Sequence, residues 1–174
     1  VRCHEDFLTV IKALDESLPG EILVVDTGGS QRAVLGELFS LEAQRRGLAG
    51  IVVDGPIRDT KTIAGLDIPV YARSYCPCAG TTQIMMETQI AITCGGVTVA
   101  PGDILVGDDD GIVVGSAAEL TALVAQATEI QFKEAALRER MAAGQGLLSM
   151  LNFSEHAAAL ARGEASKLAL KVND

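Results

Sequence analysis

The sequence predicts an α/β fold, because aliphatic strand-like runs alternate with helical periodicity early in the chain and short strands divided by turns follow. The runs EILVVD (21–26) and IVVDG (51–55) are almost continuously aliphatic or β-branched, which is typical of strands buried on both faces. Helical spacing of apolar residues precedes each run. This order favours parallel strands joined by right-handed crossovers.

Two helices are predicted in the first third of the chain. Residues 7–18 follow a short opening strand and carry apolar side chains at helical spacing, and Pro19 and Gly20 then end the helix. Residues 34–42 show the same periodicity, and Gly47 ends the second helix.

The remainder predicts short strands and then helices. Five strands, separated by Gly and Pro turns, are predicted at 70–75, 89–94, 97–100, 103–107 and 112–115. Helices are predicted over 116–143, where Ser116 is a good N-cap, and over the Ala-rich residues 154–170. We therefore expect a single α/β domain over residues 1–151 and a C-terminal helical tail over 152–174.

One pattern occurs twice, as PGEILVVD at 19–26 and PGDILVGD at 101–108. In each copy proline fixes φ, glycine turns the chain and an acidic residue leads into an aliphatic strand. The pattern is equally typical of unrelated turn-plus-strand units and of a true structural repeat.

Composition and charge exclude several classes of function. The formal charge of -9 and the pI near 4.7 repel phosphate backbones, and no Trp is present for base stacking, so we expect no direct contact with nucleic acid. No run of 18 apolar residues occurs, so we expect no membrane partner. The four cysteines lack the dense pairing of small secreted scaffolds. A soluble, cytoplasmic protein is predicted.

The candidate chemistry lies in two loops that follow neighbouring strands. The residues concerned are Gly36, Glu37, Leu38, Phe39, Arg58 and Asp59. The first four lie where a helix aims free backbone N–H groups at an anion, and the last two follow the strand at 51–55. Both loops lie at the carboxyl ends of strands, the edge at which α/β sheets bind ligands.

The residue types fit the chemistry of a 2-oxo acid. Arg58 stays protonated and can form a forked pair with a carboxylate or a 2-oxo group. Asp59 is a hard oxygen ligand, and Mg²⁺ commonly takes only one or two protein carboxylates. Together they would stabilise a pyruvate enolate, while Glu37 could move a proton. An Arg-Asp pair after a strand is also common in solvated loops and surface ion pairs.

The spacing of these residues carries a resemblance. An acidic residue, 20 intervening residues and Arg-Asp, with GGSxRA before and GGVxVxPGDILVGDDDG after, resemble the 4-hydroxy-4-methyl-2-oxoglutarate aldolases over about residues 1–151. That family also includes the regulators of ribonuclease activity A. The resemblance implies a three-layer swivelling β/β/α domain that assembles as a trimer or a dimer of trimers, with the site near subunit contacts. It also implies a pyruvate aldolase, dependent on Mg²⁺ or Mn²⁺, that decarboxylates oxaloacetate as a side activity.

The resemblance also implies a role for each residue. Arg58 would bind the pyruvyl oxygen and Asp59 would hold the metal. The backbone amides of Leu38 and Phe39, next to Gly36, would receive the substrate carboxylate. Glu37 stands where these aldolases commonly have aspartate and would order the water that delivers or accepts a proton.

The sequence departs from the family pattern at three places. Thr62 replaces the acidic residue that usually follows three positions after the motif aspartate, so one partner of the metal ligand is missing. The family usually has more chain before the equivalent of Val1, so we expect that an N-terminal part of the domain is absent. The segment SYCPCAGTTQ (74–83) differs from the usual one, which indicates an unusual specificity.

Other functions stay open. The acidic surface also fits a protein-binding regulator that inhibits a ribonuclease without catalysis, and the changes at Glu37 and Thr62 fit a degenerate enzyme kept as a trimeric scaffold.

Two further motifs lack the spacing of known ligand sites. Cys76 and Cys78 form a Cys-Pro-Cys unit, which lacks the two knuckles of a structural zinc site. Gly28 and Gly29 lack the GxGxxG spacing of a nucleotide loop, which disfavours a methyl-donor site.

Overall fold

The structure is a computed structural model that describes residues 1–171. The chain divides into two compact units, Val1–Ala117 and Ala118–Asp174. The division that the sequence suggested after residue 151 therefore lies inside the second unit, and a separate tail at 152–174 stays a prediction. Residues 172–174 of that tail lie outside the described residues.

A parallel sheet with its connecting helices forms the first part of unit 1. The elements in chain order are α1 (Leu8–Glu16), β1 (Ile22–Asp26), α2 (Glu37–Arg45), β2 (Gly50–Ile57), α3 (Thr60–Ile63) and β3 (Val70–Tyr75). The strand order is β1-β2-β3 and both pairings are parallel, as predicted. The predicted opening strand is reduced to residues 1–3, where the Asp26 amide donates to the Val1 carbonyl at 2.9 Å.

Two antiparallel hairpins follow. The strands are β4 (Ile92–Cys94), β5 (Val97–Val99), β6 (Ile104–Asp108) and β7 (Gly111–Gly115). All four predicted strands in this region are present, although β4 begins at Ile92 and not at residue 89. The two copies of the repeated pattern differ, because β1 pairs in parallel and β6 pairs antiparallel.

Alternate residues of the central strands face different layers. Val25 and Val53 pack with the helices in one buried cluster, whereas Val24 and Val52 pack in a second cluster with Ile92 of the hairpins. Period-two alternation of this kind follows from strand geometry. Helices, parallel sheet and hairpins therefore form three layers, and the α/β class and β/β/α layering are confirmed.

Unit 2 contains the long helix α4 (Ala117–Ala142) except for its first residue, a 3-10 turn at Leu147–Met150 and helix α5 (Phe153–Ala161). The prediction of helix over 154–170 is wrong beyond residue 161, where the Asn152 side chain bonds the backbone of Lys167 and Ala169 instead. Within residues 1–171, none of the helices combines the length and hydropathy of a membrane span.

Candidate functional site

The loop before α2 determines where the helix begins. Val34 and Leu35, predicted as helical, are buried in an extended segment beside the end of β2. The Arg58 amide donates to the Leu35 carbonyl at 3.0 Å, and the Val34 amide donates to Pro56 at 3.4 Å. The helix therefore begins at Glu37, because its first turn is set by this pairing and not by apolar periodicity.

The pairing brings the two predicted loops together. Asp59 Oδ2 accepts a hydrogen bond from the Glu37 backbone amide at 3.2 Å and lies 3.3 Å from Arg58 Nε. The carboxylate thus lies at the N-terminus of α2, where the helix dipole and unpaired amides favour negative charge. The structure brings together Arg58, Asp59 and the beginning of α2, as the sequence predicted.

Gly36 allows this close approach. It adopts an extended backbone (φ -149°), and a Cβ built on it would lie 2.5 Å from Asp59 Oδ2 and 3.0 Å from Arg58 Cγ. Any side chain at this position would displace the Arg58 and Asp59 side chains. The glycine is therefore required for the contact between the loops and not for backbone freedom.

Asp59 has a left-handed backbone (φ 59°, ψ 32°), which is uncommon for a residue with a side chain and often marks a functional site. Its carbonyl accepts from the amides of Thr62 and Ile63 and begins the short helix α3. Thr62, at the position of the missing acidic residue, is exposed in α3. Sequence reasoning did not predict α3.

The expected carboxylate-binding amides lie in the first turn of α2. The Ser40 amide makes the first intrahelical bond, to Gly36 at 3.1 Å, so the amides of Leu38 and Phe39 precede the helical ladder. The Leu38 side chain is exposed, whereas Phe39 packs on the core and makes an edge-to-face contact with Phe7 at 5.6 Å. Glu37 is half-buried in the same turn.

The Arg58 and Asp59 side chains are 44% and 35% exposed, so the pair lies at the surface of the single chain. A cavity of about 540 Å³ lies at the carboxyl ends of the parallel strands, lined by residues such as Asp26, Asp54 and Tyr75. Arg58 and Asp59 do not line it. The pair is therefore open to solvent in the single chain, and the expected contribution of a second subunit stays a prediction.

Sequence reasoning missed the charged pair that lines this cavity. Arg73 Nε donates to Asp54 Oδ1, and the Gly95 amide donates to Oδ2 at 2.8 Å. The Arg73 hydrogen bond, with that from Gly95, holds the pKa of Asp54 below its usual range. The only signal in the sequence was an acidic residue at the end of an aliphatic strand.

Asp59 is a carboxylate donor of the kind that the expected divalent cation requires. Within residues 1–171, no group of three Cys, His, Asp or Glu side chains converges, which disfavours an all-protein cage such as structural zinc. Asp59 fits the lesser demand of Mg²⁺ or Mn²⁺ for one carboxylate with bound waters. The Glu37 amide and Arg58 Nε both contact Oδ2 of Asp59, and the carboxylate is partly exposed.

The fold and site define an α/β protein that presents an arginine and an aspartate at a helix N-terminus. The model of the RraA-like family, described as Aldolase/RraA, matches residues 1–114. The match covers more than half of the chain, and the chain therefore belongs to the RraA-like family.

Two relatives illustrate the range of names in this family. An uncharacterised protein of Methanocaldococcus jannaschii is 40% identical over 152 residues, which cover 86% of this chain and 73% of that protein. A protein of Ectopseudomonas mendocina named "Putative 4-hydroxy-4-methyl-2-oxoglutarate aldolase" is 41% identical over 115 residues, 66% of this chain and 71% of that protein.

Two solved structures share the fold. The RNA-processing inhibitor RraA from Thermus thermophilis is 36% identical with a TM-score of 0.62, over 65% of this chain and 70% of that one. A Geobacillus kaustophilus structure titled as an S-adenosylmethionine:2-dimethylmenaquinone methyltransferase is 38% identical with a TM-score of 0.64, over 67% and 73%. The family thus carries the names of enzymes and of an inhibitor.

Proposed function

We propose that this chain is a divalent-metal-dependent lyase that releases pyruvate from 4-hydroxy-4-methyl-2-oxoglutarate or a related 2-oxo acid and decarboxylates oxaloacetate as a side activity. The observation that carries the proposal is that Asp59 Oδ2 lies within 3.3 Å of both Arg58 Nε and the first amide of α2. The site therefore combines a guanidinium, a carboxylate and a helix N-terminus. Together these groups would bind a 2-oxo acid and its metal ion. The aldolase names of the relatives support this assignment.

The substrate carboxylate would bind at the beginning of α2. The amides of Leu38 and Phe39 precede the first intrahelical bond, and the positive end of the helix dipole favours an anion there. Binding at this point would hold the 2-oxo group beside Arg58, whose guanidinium is fixed against Asp59. Arg58 would then stabilise the negative charge that develops on the oxo oxygen.

Asp59 would hold Mg²⁺ or Mn²⁺. A bound cation of this kind acts as a Lewis acid and stabilises an enolate. Asp59 is suited to the task because its backbone is fixed by the two amides of α3 and its carboxylate by the Glu37 amide. Glu37, in the same turn, would orient a water molecule and exchange a proton with the substrate through it.

The complete site would form in an oligomer. Arg58 and Asp59 lie on an open surface of the single chain, so water would reach them freely without a second subunit. We propose a homotrimer, or a pair of trimers, in which a neighbouring chain covers this surface. Covering it would exclude water and strengthen the electrostatic contribution of Arg58.

The experiment is a turnover assay on the purified chain. With Mg²⁺ or Mn²⁺ and 4-hydroxy-4-methyl-2-oxoglutarate, we expect pyruvate release, measured by coupled reduction with lactate dehydrogenase. EDTA and Asp59→Asn should each abolish it. The matched control is Asp67→Asn, an exposed aspartate a few residues further on that should leave turnover unchanged. Turnover that persists in both EDTA and the Asp59 variant would contradict the proposal.

A second candidate is a protein-binding inhibitor of a ribonuclease, supported by the solved structure of an RNA-processing inhibitor and by the net charge of -9. The two candidates differ in their dependence on Asp59. Inhibition of a purified ribonuclease that is equal for the wild type and Asp59→Asn, with no pyruvate release from either, would favour the inhibitor.

A further inference from the structure

We propose that Cys76 and Cys78 form a reactive dithiol, which closes to an intramolecular disulfide by exchange with small-molecule disulfides. The pair lies in the Cys-Pro-Cys segment that follows β3. Neither the aldolase nor the inhibitor assignment uses these residues. The formation of this disulfide is independent of the proposed function.

The local geometry turns the first thiol toward the second cysteine. The Cys78 backbone amide donates to Cys76 Sγ at 3.4 Å, and the chain bends at Pro77 and Cys78. The Cys76 sulfur is therefore turned back across Pro77.

The pair includes the one exposed cysteine among the four, and its other member lines a cavity. Cys78 is exposed, and Cys76 is half-buried and lines the cavity of about 540 Å³. Cys3 is buried, and desolvation raises the pKa of its thiol to about 12. Burial also raises the pKa of the half-buried Cys94 thiol. All four cysteines are free in the structure. Cys3 and Cys94, whose thiols ionise less readily, therefore serve as slow-reacting references for the exchange at Cys76 and Cys78.

Glutathione disulfide is the oxidant in this exchange, and no further reactant is needed. The Cys78 thiolate attacks one sulfur of glutathione disulfide, forms a mixed disulfide and releases one glutathione thiolate. The Cys76 thiolate then attacks the Cys78 sulfur and releases the second glutathione. Two protein thiols lose their protons and two electrons, and one glutathione disulfide is reduced to two glutathiones.

Backbone hydrogen bonds connect the two cysteines to both loops of the candidate site. The Cys76 amide donates to the carbonyl of Ile57, which precedes Arg58, at 2.9 Å. The Cys78 carbonyl accepts from the amide of Ala33 at 2.8 Å, in the segment that leads to Gly36. Closing the disulfide would shift these anchors, so oxidation should lower turnover; this consequence alone rests on the proposed function.

The test counts thiols. The full chain is incubated natively with glutathione disulfide, then denatured, treated with iodoacetamide and weighed intact. We expect the wild type to gain two carbamidomethyl groups and not four, and to lose the mass of two hydrogens. In Cys76→Ser, which lacks the resolving thiol, Cys78 should keep a glutathione adduct. The double variant Cys76→Ser/Cys78→Ser should gain two groups and show no loss of hydrogen.

Three results would overturn the proposal: four carbamidomethyl groups on the wild type, a stable glutathione adduct on the wild type, or loss of two thiols from the double variant. Pyruvate release is measured on the same samples. If the disulfide forms and no sample releases pyruvate, the aldolase assignment fails and the dithiol stands. If turnover is present and the thiols stay reduced, the dithiol fails.

Discussion

Gly36 lies directly against Asp59, and a Cβ on residue 36 would stand 2.5 Å from the carboxylate oxygen Oδ2. That oxygen also accepts from the Glu37 amide and contacts Arg58 Nε. The absence of a side chain at one position of the loop before α2 therefore determines the geometry of two charged groups that follow β2.

Gly36→Ala should abolish most of the activity without unfolding the chain. The added methyl group forces Asp59 and Arg58 away from the helix terminus, and a displacement of about 1 Å at a catalytic group can cost about 100-fold in rate. We expect pyruvate release to fall by about that factor, with the thermal midpoint little changed. The control is Gly65→Ala, whose Cβ would meet only Thr62 O at 3.5 Å. Equal rates for the two variants would contradict the assigned role of Gly36.

Arg58→Lys tests the forked geometry of the guanidinium. Lysine keeps the charge but cannot present two fixed donors to a planar oxo acid. Loss of one such donor typically costs about 100-fold to 1000-fold in kcat, so we expect a fall of that order in kcat/KM. Arg45→Lys is the matched control, because Arg45 pairs with Glu42 on the exposed face of α2. A lysine variant as active as the wild type would remove Arg58 from the catalytic machinery.

The sequence predicted the central strands and the position of the Arg58-Asp59 loop directly after β2, because these signals are local. Continuous aliphatic runs give β1 and β2, and Arg58 and Asp59 follow β2 directly. The beginning of α2 could not be predicted from periodicity. Val34 and Leu35 have helical spacing, but they pair with the backbone of residues 56 and 58, which is a tertiary effect.

The repeated pattern shows the same limit of local signals. Gly20 and Gly102 both have positive φ, and each copy is followed by a strand, at Ile22–Asp26 and Ile104–Asp108. The first strand pairs in parallel with β2, whereas the second pairs antiparallel with its neighbour in a hairpin. Turn chemistry therefore predicts where a strand begins, but the partner depends on contacts distant in sequence.

Asp6 should make stability depend on pH. Burial alone would raise the pKa of this carboxyl group, but hydrogen bonds from the amides of Gln83, Leu8 and Ile84 and the Thr81 hydroxyl outweigh it and lower the pKa. A lowered folded-state pKa contributes stability above the ordinary value of 3.8, and this contribution is lost as pH falls through the folded pKa.

Asp6→Asn should therefore reduce the free energy of unfolding by about 2 kcal/mol at neutral pH, because both carboxylate oxygens accept hydrogen bonds and an NH₂ group would replace one of them. Below the folded-state pKa the difference from the wild type should shrink. Urea unfolding at neutral pH and at a series of pH values below 3.8 measures both effects. A constant difference between variant and wild type at all pH values would contradict the titration of Asp6.

Glu37 has two separate roles in the proposed site. Its backbone amide holds Asp59, and its side chain would transfer a proton. Its amide anchors Asp59 whatever side chain it carries, so substitutions at this position separate structure from proton transfer. Glu37→Gln should keep the anchor and the substrate KM but lower kcat by about 100-fold, because the amide cannot accept a proton. Glu37→Asp restores a carboxylate and should recover most of kcat. Equal losses in both variants would instead indicate that Glu37 acts through packing or through the dipole of α2.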